Sequence, residues 1–96
     1  MDIAKPPGGF ILDEPPAITV LIASHAQIWP RLPAYWSDIK SRLRQTGHRE
    51  GVPIPNAAPG ARLFVAGGDP ASGLPTVKVA YRVLGDTLRI RAVLVL

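Results

Sequence analysis

The sequence predicts an α+β domain with a mainly antiparallel sheet of about four strands and one main helix, with room for a second short helix, packed on one face. Two patterns support this fold class. A single strong helical pattern follows an early apolar run, and three strand-like segments follow the helix, the last two joined by a Gly-Asp turn. The chain has 96 residues, 47% hydrophobic and 19% charged, which suits one domain with a modest core.

The N-terminal segment differs in composition from the rest of the chain. Residues 1–16, MDIAKPPGGFILDEPP, contain four prolines and two glycines. This composition predicts a flexible arm, with residues 10–12 as an anchor onto the body. Residues 17–96 are predicted to form the single α+β domain.

The first apolar run, AITVLIAS at residues 17–24, is rich in β-branched residues. This pattern predicts a strand that is covered on both faces. The run is too short to cross a bilayer as a helix. Asp13 and Glu14 precede it, where a signal peptide would carry basic residues, so we expect a cytoplasmic protein with no membrane contact.

The main helix is predicted to begin near Pro33 and to end at Gly47. Its apolar residues recur at helical spacing and form one stripe. Asp38 and Arg42 are four residues apart and are predicted to form a weak pair. The stripe consists of Tyr35, Trp36, Ile39 and Leu43.

The closing hairpin is predicted to turn at Gly85 and Asp86, after a strand at residues 61–66 and a long connection. A two-residue turn would place Arg82 opposite Arg89 and Ala80 opposite Arg91. The predicted inward side is apolar and consists of Val79, Tyr81, Val83, Leu88, Ile90, Ala92 and Leu94. The predicted outward side holds four cations, which are Lys78, Arg82, Arg89 and Arg91.

Four cations on one sheet face are an unusual arrangement, because like charges directly across a ladder destabilise it. The net charge of +4 and the pI near 10.1 agree with an anionic partner. A charged, solvated face that resists aggregation is the alternative interpretation.

Other chemistry has weak support in the sequence. The chain has no cysteine and two isolated histidines, so we expect no disulfide, thiol nucleophile, metal site or cofactor, and no small-molecule ligand is indicated. His48 has the intrinsic pKa of a general base, but an exposed loop residue is the expected role. Trp29 is either a partner anchor or a packed loop residue.

Residues 77–95, VKVAYRVLGDTLRIRAVLV, resemble the final hairpin of the RelE/ParE toxin superfamily. Members commonly read aromatic-Arg-Val, two residues, Tyr-Arg-Val, a short turn and an apolar closing strand. The upstream order is also similar: a first strand, a helix that begins near a Leu-Pro pair (Leu32 and Pro33 here), a loop and three strands.

The resemblance implies a bacterial toxin that is neutralised by an antitoxin with an acidic segment. RelE-like members cut messenger RNA on the ribosome, and ParE-like members act against DNA gyrase. Lys78 stands where the family usually has an arginine on the penultimate strand, and Arg82 is the second basic position of that strand. The resemblance implies that Lys78, Arg82 and Arg89 are catalytic candidates, and that Arg62 and Arg91 join them in binding nucleic acid.

The sequence departs from the RNA-cutting branch at its C-terminal end. RNA-cutting members usually continue into a basic or histidine-bearing segment, whereas this sequence ends at Leu96 with apolar residues. The resemblance therefore implies either an endoribonuclease without that segment or a ParE-like or inactivated member. The alternative from a different class is a non-catalytic interaction domain that uses the basic sheet face or the Pro-rich arm.

Overall fold

A computed structural model describes residues 8–96 as two helices packed on one face of a five-stranded sheet. The predicted α+β class is confirmed. The sheet order is β1-β5-β4-β3-β2, with β1 parallel to β5 and every other neighbouring pair antiparallel. The elements are β1 (Ile11–Asp13), α1 (Pro16–His25), α2 (Leu32–Thr46), β2 (Val52–Pro53), β3 (Ala61–Ala66), β4 (Val77–Leu84) and β5 (Thr87–Val95).

Residues 10–16, the last part of the predicted arm, pack against the folded body. The side chain of Phe10 is 0% exposed, and its N–H donates to the Arg44 carbonyl at 2.8 Å. The three residues of β1 then pair with β5, so residues 10–12 do anchor the segment to the body. Residues 1–7 of the predicted arm lie outside the described residues.

The strand predicted at residues 17–24 is wrong, because this run forms most of α1. Pro16 fits the first turn of a helix, where its missing N–H costs no hydrogen bond. Ile18 and Ile22 lie four residues apart and are buried on one side of α1, whereas Val20 is exposed. Burial of a single helical stripe therefore overrides the local β propensity of the run.

The α2 helix confirms the predicted main helix. Trp36, Ile39 and Leu43 are buried in the core that the helices share with β3, β4 and β5. The predicted pairing of Asp38 with Arg42 is wrong. The Arg42 guanidinium instead donates two hydrogen bonds to the Glu50 carboxylate, at 3.0 and 3.1 Å, and Asp38 makes no hydrogen bond or ion pair with the described residues.

The Glu14 carboxylate joins the segment before α1 to α2. It accepts hydrogen bonds from the Thr19 hydroxyl and from the Trp36 indole at 3.0 Å, and it pairs with the Lys40 ammonium at 2.9 Å. Burial opposes ionisation of Glu14, but the hydrogen bonds from Thr19, Lys40 and Trp36 outweigh burial and lower its pKa. This carboxylate therefore stabilises the fold above its ordinary pKa and loses that contribution as the pH falls.

The Tyr81 hydroxyl links the inner face of the sheet to the loop that follows α2 through hydrogen bonds. It lies 2.6 Å from the Gly47 carbonyl and 3.0 Å from the Glu50 carbonyl. The Arg62 side chain also donates to the Glu50 carbonyl, at 2.7 Å. Burial raises the pKa of Tyr81 to about 12.

Replacing Tyr81 with Phe should lower the free energy of unfolding by about 1–2 kcal/mol, because the buried Gly47 carbonyl loses its hydroxyl donor while the Glu50 carbonyl keeps Arg62. Urea unfolding at neutral pH measures this change. Tyr35→Phe is the matched control, since the Tyr35 hydroxyl donates to the Gly67 carbonyl at 2.9 Å in an exposed position and should cost less. Equal losses in the two variants would contradict this assignment.

The stability of the protein should also fall as the pH rises from about 10 towards 12 because of Tyr81. The raised pKa means that the folded state keeps a proton that the unfolded state releases, so the contribution is complete below pH 10 and shrinks above it. Urea midpoints of the wild type and of Tyr81→Phe should converge over this interval. A constant difference between the two proteins would show that Tyr81 does not titrate as described.

Candidate functional site on the outer sheet face

The outer face is the side of the sheet that the helices leave uncovered. On β4 its residues alternate with the buried Val77, Val79, Tyr81 and Val83. The cross-strand registers arrange the outer face in rows. The first row holds Val65, Lys78 and Leu94, the second Val52, Leu63, Ala80 and Ala92, the third Ala61, Arg82, Arg89 and Asp13, and the fourth Leu84, Thr87 and Ile11.

The predicted hairpin register holds near the turn and fails beyond Tyr81. Arg82 lies opposite Arg89 as predicted, but Ala80 pairs with Ala92 instead of Arg91, because the ladder shifts there by one residue. Such a β-bulge leaves an extra residue on one strand and changes which side the following residues face.

The bulge corrects the predicted faces of the last strand. Val93 is buried, whereas Ala92 and Leu94, which were predicted to face inward, are exposed on the outer face. Arg91 is exposed at the bulge. The inward orientation predicted for the other apolar residues of the hairpin is confirmed, as all of them are buried.

The structure brings Lys78, Arg82 and Arg89 onto the same face, as predicted. The Arg89 Nε donates to the Asp13 carboxylate at 2.9 Å, and the Arg82 Nε donates to the Pro59 carbonyl at 2.9 Å. Each guanidinium is thus oriented through one nitrogen and keeps further N–H groups for a partner. Lys78 makes no hydrogen bond or ion pair with the described residues.

Arg62 lies on the other side of the sheet from these cations. Its cross-strand partner is the buried Tyr81, and its side chain donates to the carbonyls of Glu50 and Gly51 at 2.7 and 3.3 Å. Its predicted grouping with the nucleic-acid-binding cations is therefore not supported by the structure. The residues of β3 that face the helices could be identified only once the register of β3 with β4 was known.

The outer face can stabilise negative charge through its cations, and its described rows contain no histidine. Their one carboxylate, that of Asp13, is paired with Arg89. His48 lies away from these rows, with its ring 5.5 Å from that of Phe10. It was predicted to be exposed, but it is half-buried. The groups on the described rows are therefore cations, one paired carboxylate, a threonine and apolar side chains.

Few features of the sequence indicated the apolar part of the outer face. Leu63, Ala80, Ala92, Leu94 and the side chain of Lys78 line a shallow cavity of about 270 Å³. The one available signal was the spacing of three between Ile90 and Val93, which breaks the alternation of large apolar residues and marks the bulge. Asp13 was also missed, because the pairing of β1 with β5 joins opposite ends of the chain.

No protein-family model matches this chain, and neither a curated protein nor a solved structure matches it. Within residues 8–96, no group of three or more His, Cys, Asp or Glu side chains is placed to hold a metal ion. The helices described for these residues all lack the length and apolar character that a membrane span requires.

Replacing Asp13 with Asn should strengthen the binding of a polyanion, because it removes the counter-charge of Arg89. The cost in stability should stay below about 1 kcal/mol, since both side chains are partly exposed. The affinity for a labelled single-stranded oligonucleotide, used as a general polyanion, can be measured by fluorescence anisotropy at two salt concentrations.

Asp38→Asn is the matched control for this experiment. It makes the same change in net charge on the exposed surface of α2, and Asp38 has no partner among the described residues. A larger effect of Asp13→Asn supports a local role of Arg89. Equal effects would mean that only the net charge of the protein matters.

Proposed function

We propose that this protein is a RelE/ParE-type toxin domain that acts by binding an acidic protein target, such as a nucleic-acid enzyme, and not by cutting RNA. The observation that carries this proposal is the composition of the outer face. Exposed or half-buried cations lie there beside uncovered apolar residues, and the described rows hold no histidine and only the paired carboxylate of Asp13. Such a mixed surface suits protein recognition, in which charge guides association and apolar contacts supply affinity.

Two further observations support the toxin-type interpretation. The strand that the resemblance placed at residues 17–24 is helical, but β1 precedes the helices. The order of a strand, helices, a loop and a closing series of strands is therefore compatible with the plan that the resemblance implies. The exposed face also contains Lys78 and Arg82, the two positions that match the basic positions of the family's penultimate strand. An antitoxin with an acidic segment would be the complementary neutralising partner.

RNA cleavage is the second candidate function. It is favoured by the placement of Lys78, Arg82 and Arg89 on one face, where they could hold phosphates and stabilise charge during attack by a ribose 2′-hydroxyl. In this version the proton-transfer group would have to come from outside the described rows of the outer face or from the target.

Expression in bacterial cells tests the proposal. The wild type, produced alone, should slow growth while messenger RNA stays intact, because binding and not cleavage causes the effect. A variant with Lys78→Gln and Arg82→Gln should restore growth. The readouts are growth rate, message length and the amount of soluble protein.

The matched control carries Arg31→Gln and Arg49→Gln. Each pair removes two charges, and each contains one arginine that donates to a backbone carbonyl, Arg82 to Pro59 and Arg31 to Ser72. The control should still slow growth. Fragmented messages in wild-type cells would favour the ribonuclease, and normal growth with abundant soluble wild type would leave only a non-toxic interaction domain.

A further inference from the structure

The shallow cavity on the outer face exists because two small residues lie directly opposite each other. Ala80 and Ala92 are cross-strand partners, and neither side chain fills the space above the sheet. Leu63 lies beside Ala80 on β3, Leu94 lies two residues beyond Ala92 on β5, and Lys78 completes the lining. The cavity measures about 270 Å³, enough for a large apolar side chain but small for a typical ligand.

The surface around the cavity is apolar and uncovered. Leu94 is 58% exposed, Val65 is 49% exposed and Val52 is 61% exposed. All three belong to the first two rows of the outer face, so they continue the lining of the cavity towards β2. Contiguous apolar surface with a charged border is typical of a protein interaction site.

The charge at the border of the cavity is positive. Lys78 lines the cavity and forms no ion pair within residues 8–96, and Arg82 follows it on the outer side of β4. Arg91 is exposed at the bulge next to Ala92. The carboxylate in these rows, Asp13, is paired with Arg89, so an acidic occupant would meet uncompensated cations.

Two other occupants fit less well. A second copy of the chain docked through the same face would bring cations against cations, with Asp13 already paired to Arg89. Single-stranded nucleic acid usually stacks its bases on aromatic side chains, and the described rows of the outer face contain none. An acidic protein segment with apolar side chains matches both the charge and the cavity.

We propose that the space above Ala80 and Ala92 is an anchor site for one large apolar side chain of an acidic protein segment, with a neighbouring carboxylate of that segment paired to Lys78. The inference rests on the proposed function for the class of partner. The anchor site itself depends only on the cavity and on its border of cations.

Synthetic peptides test the anchor site with the 96-residue protein. The probe is a fluorescein-labelled acidic amphipathic peptide whose apolar side carries leucine and phenylalanine. Two comparison peptides separate the contributions: one replaces these apolar residues with serine, and the other replaces glutamate with glutamine. Fluorescence anisotropy should show the tightest binding for the intact probe, with both comparison peptides weaker by about tenfold or more.

Protein variants locate the site. Ala92→Trp should fill the cavity and weaken the binding of the probe by about tenfold or more. Ala57→Trp, in an exposed loop, is the matched control and should bind like the wild type. Lys78→Gln should weaken binding and reduce its salt dependence. Leu94→Asn, on the exposed wall, should weaken binding too and serves if Ala92→Trp fails to fold, which circular dichroism and urea unfolding reveal.

Unchanged affinity in folded Ala92→Trp or Leu94→Asn would overturn the anchor site. So would equal binding of the serine peptide, tighter binding of a single-stranded RNA that competes with the probe, or dimerisation that Ala92→Trp abolishes. The growth experiment tests the toxin proposal, and its result does not depend on the binding of the peptide. If the probe binds as expected and the wild type is harmless, the anchor site stands and the toxin proposal falls.

Discussion

The bulge at Arg91 is the constraint on which the character of the exposed sheet depends. Up to Ile90 the closing strand alternates regularly, but the one-residue shift puts Val93 into the core and turns Ala92 and Leu94 outward. Without that shift, the far end of the hairpin would expose Arg91 and Val93 and bury Ala92 and Leu94. The bulge therefore places Val93 in the core and leaves Ala92 and Leu94 in water.

The two helices cover only the inner side of the sheet, and polar groups hold them there. The Glu14 carboxylate accepts hydrogen bonds from side chains of both helices, and the Tyr81 hydroxyl links the sheet to the loop after α2 by hydrogen bonds. Perturbed ionisable groups often mark catalytic sites. In this protein Glu14 and Tyr81, whose pKa values are shifted, instead lie at the seam between helices and sheet, where they stabilise the fold.

The outer face keeps two arginines side by side because a third strand supplies a carboxylate. Arg82 and Arg89 repel each other across the ladder, and Asp13 of β1 pairs with Arg89 from the far side. The alternative of a purely protective charged surface would call for carboxylates beside Lys78 as well. The structure instead joins this lysine to apolar neighbours, which is the arrangement expected of a binding surface.

Local patterns determined α2, the hairpin turn and the common face of Lys78, Arg82 and Arg89, because helical and strand periodicity act over a few neighbouring residues. Tertiary structure decided the rest. Residues 17–24 became helical because burying one stripe outweighed their β propensity, and Arg62 faced inward through its register with β4. The bulge and the pairing of β1 with β5 also depend on partner strands, and contacts between distant segments leave no periodic signal in either one.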